Sequence, residues 1–231
     1  MGSSEAERIW FRDAKPRREG PPLSRERIVA EAVALLDEEG IGRLTMRRLA
    51  ERLGTGSTTL YWHVQTKDDV LDLALDTVFG QARLPEVPSG DWRADVTALA
   101  GEWRSAMLRH PWAAGLLGRP LMGPNVLERT EFLHAALVRA GLGGAELTAA
   151  AYGLANYVIG SSMMQAAWQG RDEAAVRRAA DEHLRERRDR YPVLAEHGHV
   201  SGNDWDATFA HGLAYLLDGI AARLPGAAPS P

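Results

Sequence analysis

The sequence contains no cysteine. Disulfides and thiolate metal sites are thereby excluded, which agrees with a reducing compartment. No run of apolar residues approaches the length of a membrane span. Residues 1–20 are polar and lack the apolar centre of a signal peptide, so a cytoplasmic location and no membrane partner are expected. Alternating runs of β-branched residues are missing, which speaks against sheet. Neither sign of charge is in large excess. With 27 basic and 31 acidic residues the net charge is only −4, so attraction to nucleic acid needs a local basic patch. Nor is there a P-loop, a Gly-rich dinucleotide turn, a G-x-S-x-G elbow or an HExxH pair. An enzyme is therefore not expected, and neither a cofactor nor a metal.

What is present is helical period. The 231 residues are 45% apolar and 25% charged, an ordinary globular balance with room for one large or two small cores. Residues 1–22 carry Arg12, Lys15, Arg17 and Arg18 without periodicity and read as a flexible basic arm. From Ser24, an N-cap residue, Ile28, Ala32, Leu35 and Leu36 share one face up to Gly40. Short helices are expected at 45–53 and 57–63. A fourth, about 67–80, opens on the Thr66-Lys67-Asp68-Asp69 capping box. The Pro- and Gly-containing segment 84–90 marks a boundary, giving an N-terminal unit at 23–80 and a second domain at 81–231. Only the 67–80 helix is expected to join them. Further helices are expected at 92–110, 124–140, 145–169, 171–189 and 205–224, with 191–204 irregular. The fold class is all-α: a three-helix N-terminal head, a linking helix and a larger helical domain.

The stretch 44–71 carries the function. Two short helices joined by a tight Gly-containing turn can set the second into a major groove about 12 Å wide. From Arg43 to Lys67, Arg43, Arg47, Arg48, Arg52 and Lys67 face one acid, Glu51. Arg47, Arg48 and Lys67 suit phosphates. Ser57, Thr58 and Thr59 allow close approach of a helix N-terminus, and Tyr61 and His63 can reach phosphates or base edges. A merely solvated helix pair explains this poorly, because Thr-Thr, Tyr, Trp and His on one short helix are weak solubilising choices.

With Thr45, Arg47-Arg48-Leu49-Ala50, Leu53-Gly54, Thr59-Leu60-Tyr61-Trp62-His63-Val64 and Lys67 in register, residues 24–80 resemble the TetR family of regulators. That resemblance implies operator contact by Thr45, Arg47, Arg48, Ser57, Thr58, Thr59, Tyr61, Trp62, His63 and Lys67. It also implies a homodimer on a palindromic double-stranded operator, and release by a small-molecule effector. More loosely, Trp103 to His110, Arg119-Pro120, Glu131-Phe132-Leu133 and Ala155 to Gly160 resemble the tetracycline-repressor-like C-terminal domain. In drug-binding members a histidine at the position of His110 coordinates a drug-bound Mg²⁺. Here the second histidine position holds Asn156 and the acid position Met164, so metal-assisted drug binding is not expected.

The second domain is rich in large soft side chains. Core packing is the ordinary reading of any one of them, yet together they suit an apolar ligand pocket. The candidate ligand residues are Trp103, Met107, His110, Phe132, Asn156, Tyr157, Met164 and Trp168. His110 could equally compensate a helix dipole. His183, His197, His199 and Asp204 lack ligand spacing and read as surface. Arg185, Arg187, Arg188 and Arg190 read as a solvated face. For dimerisation the expectation is a four-helix bundle from the 145–169 and 205–224 helices, with Phe209, Leu213, Leu216, Leu217 and Ile220 contributing. The alternative to a ligand-responsive repressor is a ligand-independent architectural DNA-binding or protein-interaction bundle.

Overall fold

A computed structural model of the chain describes residues 23–116, 118–169, 171–198 and 203–224. The basic arm and His199 lie outside them. Eleven α-helices and one 3-10 turn, with no strand, make up these described residues. The head holds α1 (Arg25–Glu39), the 3-10 turn Ile41–Arg43, α2 (Met46–Arg52) and α3 (Ser57–Tyr61). The linking helix is α4 (Lys67–Gly80). Beyond it come α5 (Trp92–Arg109), α6 (Pro111–Ala114), α7 (Pro124–Arg139), α8 (Gly144–Ala166), α9 (Glu173–Glu186), α10 (Pro192–His197) and α11 (Trp205–Ala221).

Local chemistry sets the helix starts. Ser24, Thr45 and Thr66 each accept a backbone N–H of the first turn of α1, α2 and α4, and the Thr66–Asp69 capping box is complete. Asp91, Asp172 and Asp204 do the same for α5, α9 and α11. Pro192 occupies the first position of α10, where its missing N–H costs nothing. That explains why a stretch expected to be irregular contains a helical turn.

Two cores form. The head's core gathers Ile28, Leu35, Leu49, Leu60, Val64 and Leu75. It also takes in Ala106, Trp112 and Ala113 from beyond the linking helix. The head is therefore joined to the second domain twice, through α4 and through α1 packing on α6. The second core surrounds Leu99, Trp103, Met107, Leu137, Leu154 and Phe209, and Phe79 of α4 touches both cores. A buried side chain of this size contributes about 1.5–3 kcal/mol. The shared residues thus make head and second domain costly to separate.

α8 is apolar around its circumference but buries only the stripe Ala151, Leu154, Val158 and Ser162. Tyr152, Met163 and Met164 stay exposed, as does Tyr215 of α11. Phe209, Leu213 and Leu217 of α11 are buried inside the subunit, so these three, expected at a dimer seam, pack into the chain's own core. Among the described residues no helix is long and apolar enough to cross a membrane.

Candidate nucleic-acid interface and effector cavity

The turn between α2 and α3 depends on Gly54, whose φ of 66° is left-handed. Thr55 N–H donates back to Ala50 O at 3.0 Å and Gly54 N–H to Glu51 O at 3.1 Å, closing the turn. Leu60 and Val64 anchor α3 from beneath with essentially no exposure. Thr58, Thr59, Tyr61 and Trp62 face solvent, and Trp62 is 85% exposed. An indole left in water at the end of a helix held only from below presents a surface for a partner, not a core.

The basic residues divide. Arg47 is 86% exposed and pairs with Glu51 at 2.9 Å, a surface pair of little worth that phosphate can replace. Arg48 donates to Glu39 at 2.6 Å and Arg52 to Glu31 and Glu38, bracing α2 against α1. Lys67 is half-buried and donates to Ile41 O at 3.3 Å. Thr45 and Ser57 sit at the starts of α2 and α3, and His63 is half-buried. The structure thus gathers Thr58, Thr59, Tyr61, Trp62 and Arg47 as freely exposed groups of the head. Arg48, His63 and Lys67 also hold the head together or are partly covered by it.

Side chains bond α4 to the second domain along its length. Arg119 reaches Asp72 at 2.7 Å and Asp68 at 3.1 Å. Asp76, buried, accepts Val126 N–H at 3.0 Å and Asn125 Nδ2 at 2.9 Å, so a residue of α4 caps the start of α7. Buried Arg129 of α7 donates to Gly80 O and Ala82 O, both at 2.9 Å, and so caps the end of α4. His110 completes the junction. Its Nδ1 is 2.7 Å from Asp37 of α1, and its Nε2 lies 2.8 and 3.1 Å from the side-chain amide atoms of Gln81. Trp112 Nε1 donates to the same Asp37 oxygen at 2.6 Å.

A cavity of about 360 Å³ opens between α5, α8 and the start of α11. Asn156, Tyr157 and Met164 line it, together with Arg104, Trp205 and Phe209. Tyr157 stacks on Phe209 with ring centroids 5.5 Å apart, and its hydroxyl donates to Phe209 O at 2.9 Å. Burial pushes that hydroxyl above its usual range, outweighing the opposing Arg104 charge, so it stays a neutral donor. Of the other ligand candidates, Trp103 and Met107 belong to the adjoining core and Phe132 packs against it half-buried. Trp168 is one ring removed, 6.2 Å from Trp205. His110 stands at the junction with the head, outside the cavity lining.

Sequence reasoning missed Arg104, Gln165, Trp205 and Phe209 as cavity residues. The available signal was Arg104 itself, a cation next to Trp103 and one turn before Met107.

A histidine-held drug–Mg²⁺ chelate does not fit these residues. Both ring nitrogens of His110 already face protein partners, and the other two positions offer an amide and a thioether. No group of three or more His, Asp or Glu among the described residues is placed to hold a metal ion.

Residues 28–74 match the family described as bacterial regulatory proteins, tetR family, and residues 84–224 match the tetracyclin repressor-like C-terminal domain. The chain belongs to the TetR family. An HTH-type transcriptional regulator of Saccharopolyspora erythraea is 51% identical over 215 residues, 93% of this chain and 91% of that protein. The HTH-type transcriptional repressor DrrR1 of Streptomyces coeruleorubidus is 34% identical, over 93% of this chain and 83% of its own. Among solved structures, ActR of Streptomyces coelicolor in complex with actinorhodin superimposes with a TM-score of 0.80 at 29% identity, covering 87% of this chain and 98% of that one. This TetR-family chain is accordingly a DNA-binding transcriptional regulator, with α3 in the place of the recognition helix and α4 joining it to the C-terminal domain.

Proposed function

We propose that this regulator is a cytoplasmic, homodimeric repressor that binds a palindromic operator and leaves it when a small, largely apolar molecule enters the α5–α8–α11 cavity. The cavity carries the reading. A ligand-independent architectural bundle needs a filled core, since interiors pack at close to crystal density. Here some 360 Å³ remains open beside an aromatic stack and a few polar groups, the make-up of a small-molecule site. ActR, a similar protein, has been solved with actinorhodin bound, which supports the reading for this chain. The exposed Tyr152, Met163, Met164 and Tyr215 support a second copy packing on α8 and α11.

On DNA, Thr45, Arg47, Arg48 and Lys67 contribute backbone contacts, while Ser57, Thr58, Thr59, Tyr61, Trp62 and His63 present the groove-facing edge of α3. The test is operator selection with the purified protein, then gel shifts with lipophilic compounds that raise its melting temperature. A compound that both stabilises the protein and frees the operator is the expected result. Operator binding indifferent to every stabilising compound would favour the architectural alternative.

A further inference from the structure

The cavity is apolar on most of its wall, yet a guanidinium is built into it. Arg104 lines the cavity with only 12% of its side chain exposed. Its Cζ lies 4.7 Å from the centroid of the Phe209 ring, which itself stacks on Tyr157. Nη2 donates to Gln165 Oε1 at 2.6 Å and to Asp206 Oδ1 at 2.7 Å. Among the described residues, Nη1 has no acceptor, and Nε is buried without one. Of the five donors a guanidinium carries, the protein satisfies only the pair on Nη2.

The acids nearby do not close this account. Asp206 is 83% exposed, so water screens its pairing and makes it easy to exchange. Asp204 caps α11, its carboxylate held below the usual range chiefly by the backbone N–H groups of Ala207 and Asp206. Glu173 is engaged by Arg177 and by Trp205 Nε1 at 2.9 Å. What remains is a largely buried cation, its Cζ 4.7 Å from the Phe209 centroid of an aromatic stack, whose outer Nη1–Nη2 fork is half unused.

We infer that the effector of this cavity is an aromatic carboxylate. Its ring body lies against Phe209 and Tyr157, and its carboxylate takes the Nη1–Nη2 fork of Arg104 in place of Asp206. Two parallel N–H donors on one guanidinium edge match the two oxygens of a carboxylate. An aromatic body closing over the contact keeps water from the Arg104–ligand carboxylate pair, while the exposed Asp206 returns to water, so the exchange favours the ligand. Gln165 keeps its own bond to Nη2 and holds the fork in place. The inference rests on the reading of this cavity as the effector site and names the charge its ligand carries.

Calorimetry on the full-length protein with 2-naphthoate and the uncharged 2-naphthamide tests it. The carboxylate is expected to bind the unaltered protein roughly tenfold or more tightly than the amide, the scale of a charge-assisted fork. Arg104→Gln should bring that ratio to about one, and a cooperative thermal melt of the variant shows that it is folded. Asp206→Asn, at an exposed position, should tighten naphthoate and leave naphthamide unchanged. Equal affinities of the two probes would overturn the anionic assignment and leave the effector site standing. So would a carboxylate preference that survives in Arg104→Gln, or naphthoate binding weakened in Asp206→Asn. Failure of both probes to bind at millimolar concentration would count against the effector site itself, and the carboxylate with it.

Discussion

Arg47 holds only a solvent-exposed pair with Glu51, which phosphate can replace, whereas Thr59 and Tyr61 lie on the exposed face of α3. Arg47→Ala should therefore weaken binding to all sequences alike and lower the slope of log affinity against log salt by about one. Thr59→Ala and Tyr61→Ala should cost on the order of 1–3 kcal/mol, felt mostly on the true operator. Gel-shift titrations at several salt concentrations on operator and random DNA separate the two behaviours. Far from the DNA, Asp95 is only 3% exposed and bonds Ser89 N–H at 2.9 Å and Arg139 at 2.7 Å. Burial alone would raise its pKa, but the bonds from Ser89 and the Arg139 charge outweigh it and hold the carboxyl below its usual range. A depressed folded-state value means stability that is present above the ordinary carboxylate pKa of about 3.9 and lost as pH falls through the folded one. Asp95→Asn should remove that part of the acid sensitivity and lower stability at neutral pH. Urea unfolding at pH 7 and below pH 4 measures both effects.

Among the elements, α4 is tied to the second domain by side chains at its start, middle and end. Arg129→Met would leave the carbonyls of Gly80 and Ala82 without their donor, and an unsatisfied buried acceptor costs roughly 1–3 kcal/mol. A Cβ at Gly123 would sit 2.2 Å from Asp76 Oδ1, so Gly123→Ala must displace the start of α7 from its Asp76 cap. Both variants should lower the urea midpoint and weaken effector-driven release more than operator binding itself. Much of the helix plan was legible in the sequence, because Ser24, Thr45, Thr66 and the glycines after α1 and α2 announce helix ends within a few residues. The junction was not. Asp37 and His110 are 73 positions apart, and the period of a helix reports that a face is buried without reporting what meets it. The cavity was half legible for the same reason. Asn156, Tyr157 and Met164 share α8 and declared themselves together, while Arg104 and Phe209 come from α5 and α11 and meet only in the fold. Met107, expected to line the pocket, is 3% exposed in the core beside it.

At the scale of the whole molecule, the two recognition helices of a dimer must sit about 34–36 Å apart to enter successive major grooves. In this chain the head cannot move on α4 alone, because Asp37, His110 and Trp112 tie α1 to the second domain as well. On the proposed function, an effector in the cavity is expected to act by shifting α5 and the junction at its end, so that the head is repositioned as a body. Filling the cavity should block the response without touching the DNA face. At Gly160, which lines it, an added Cβ meets nothing within 4 Å, so Gly160→Phe should keep operator affinity and lose effector release in a gel shift. On the proposed function, effector and operator favour different states of one dimer, with a coupling of about 1–3 kcal/mol typical of such systems. Calorimetric titration of a cavity-binding compound, with and without saturating operator, measures that coupling directly. Operator should weaken the compound's affinity by the same factor by which the compound weakens operator binding. Equal affinities in the two titrations, for a compound shown to occupy the cavity, would contradict it.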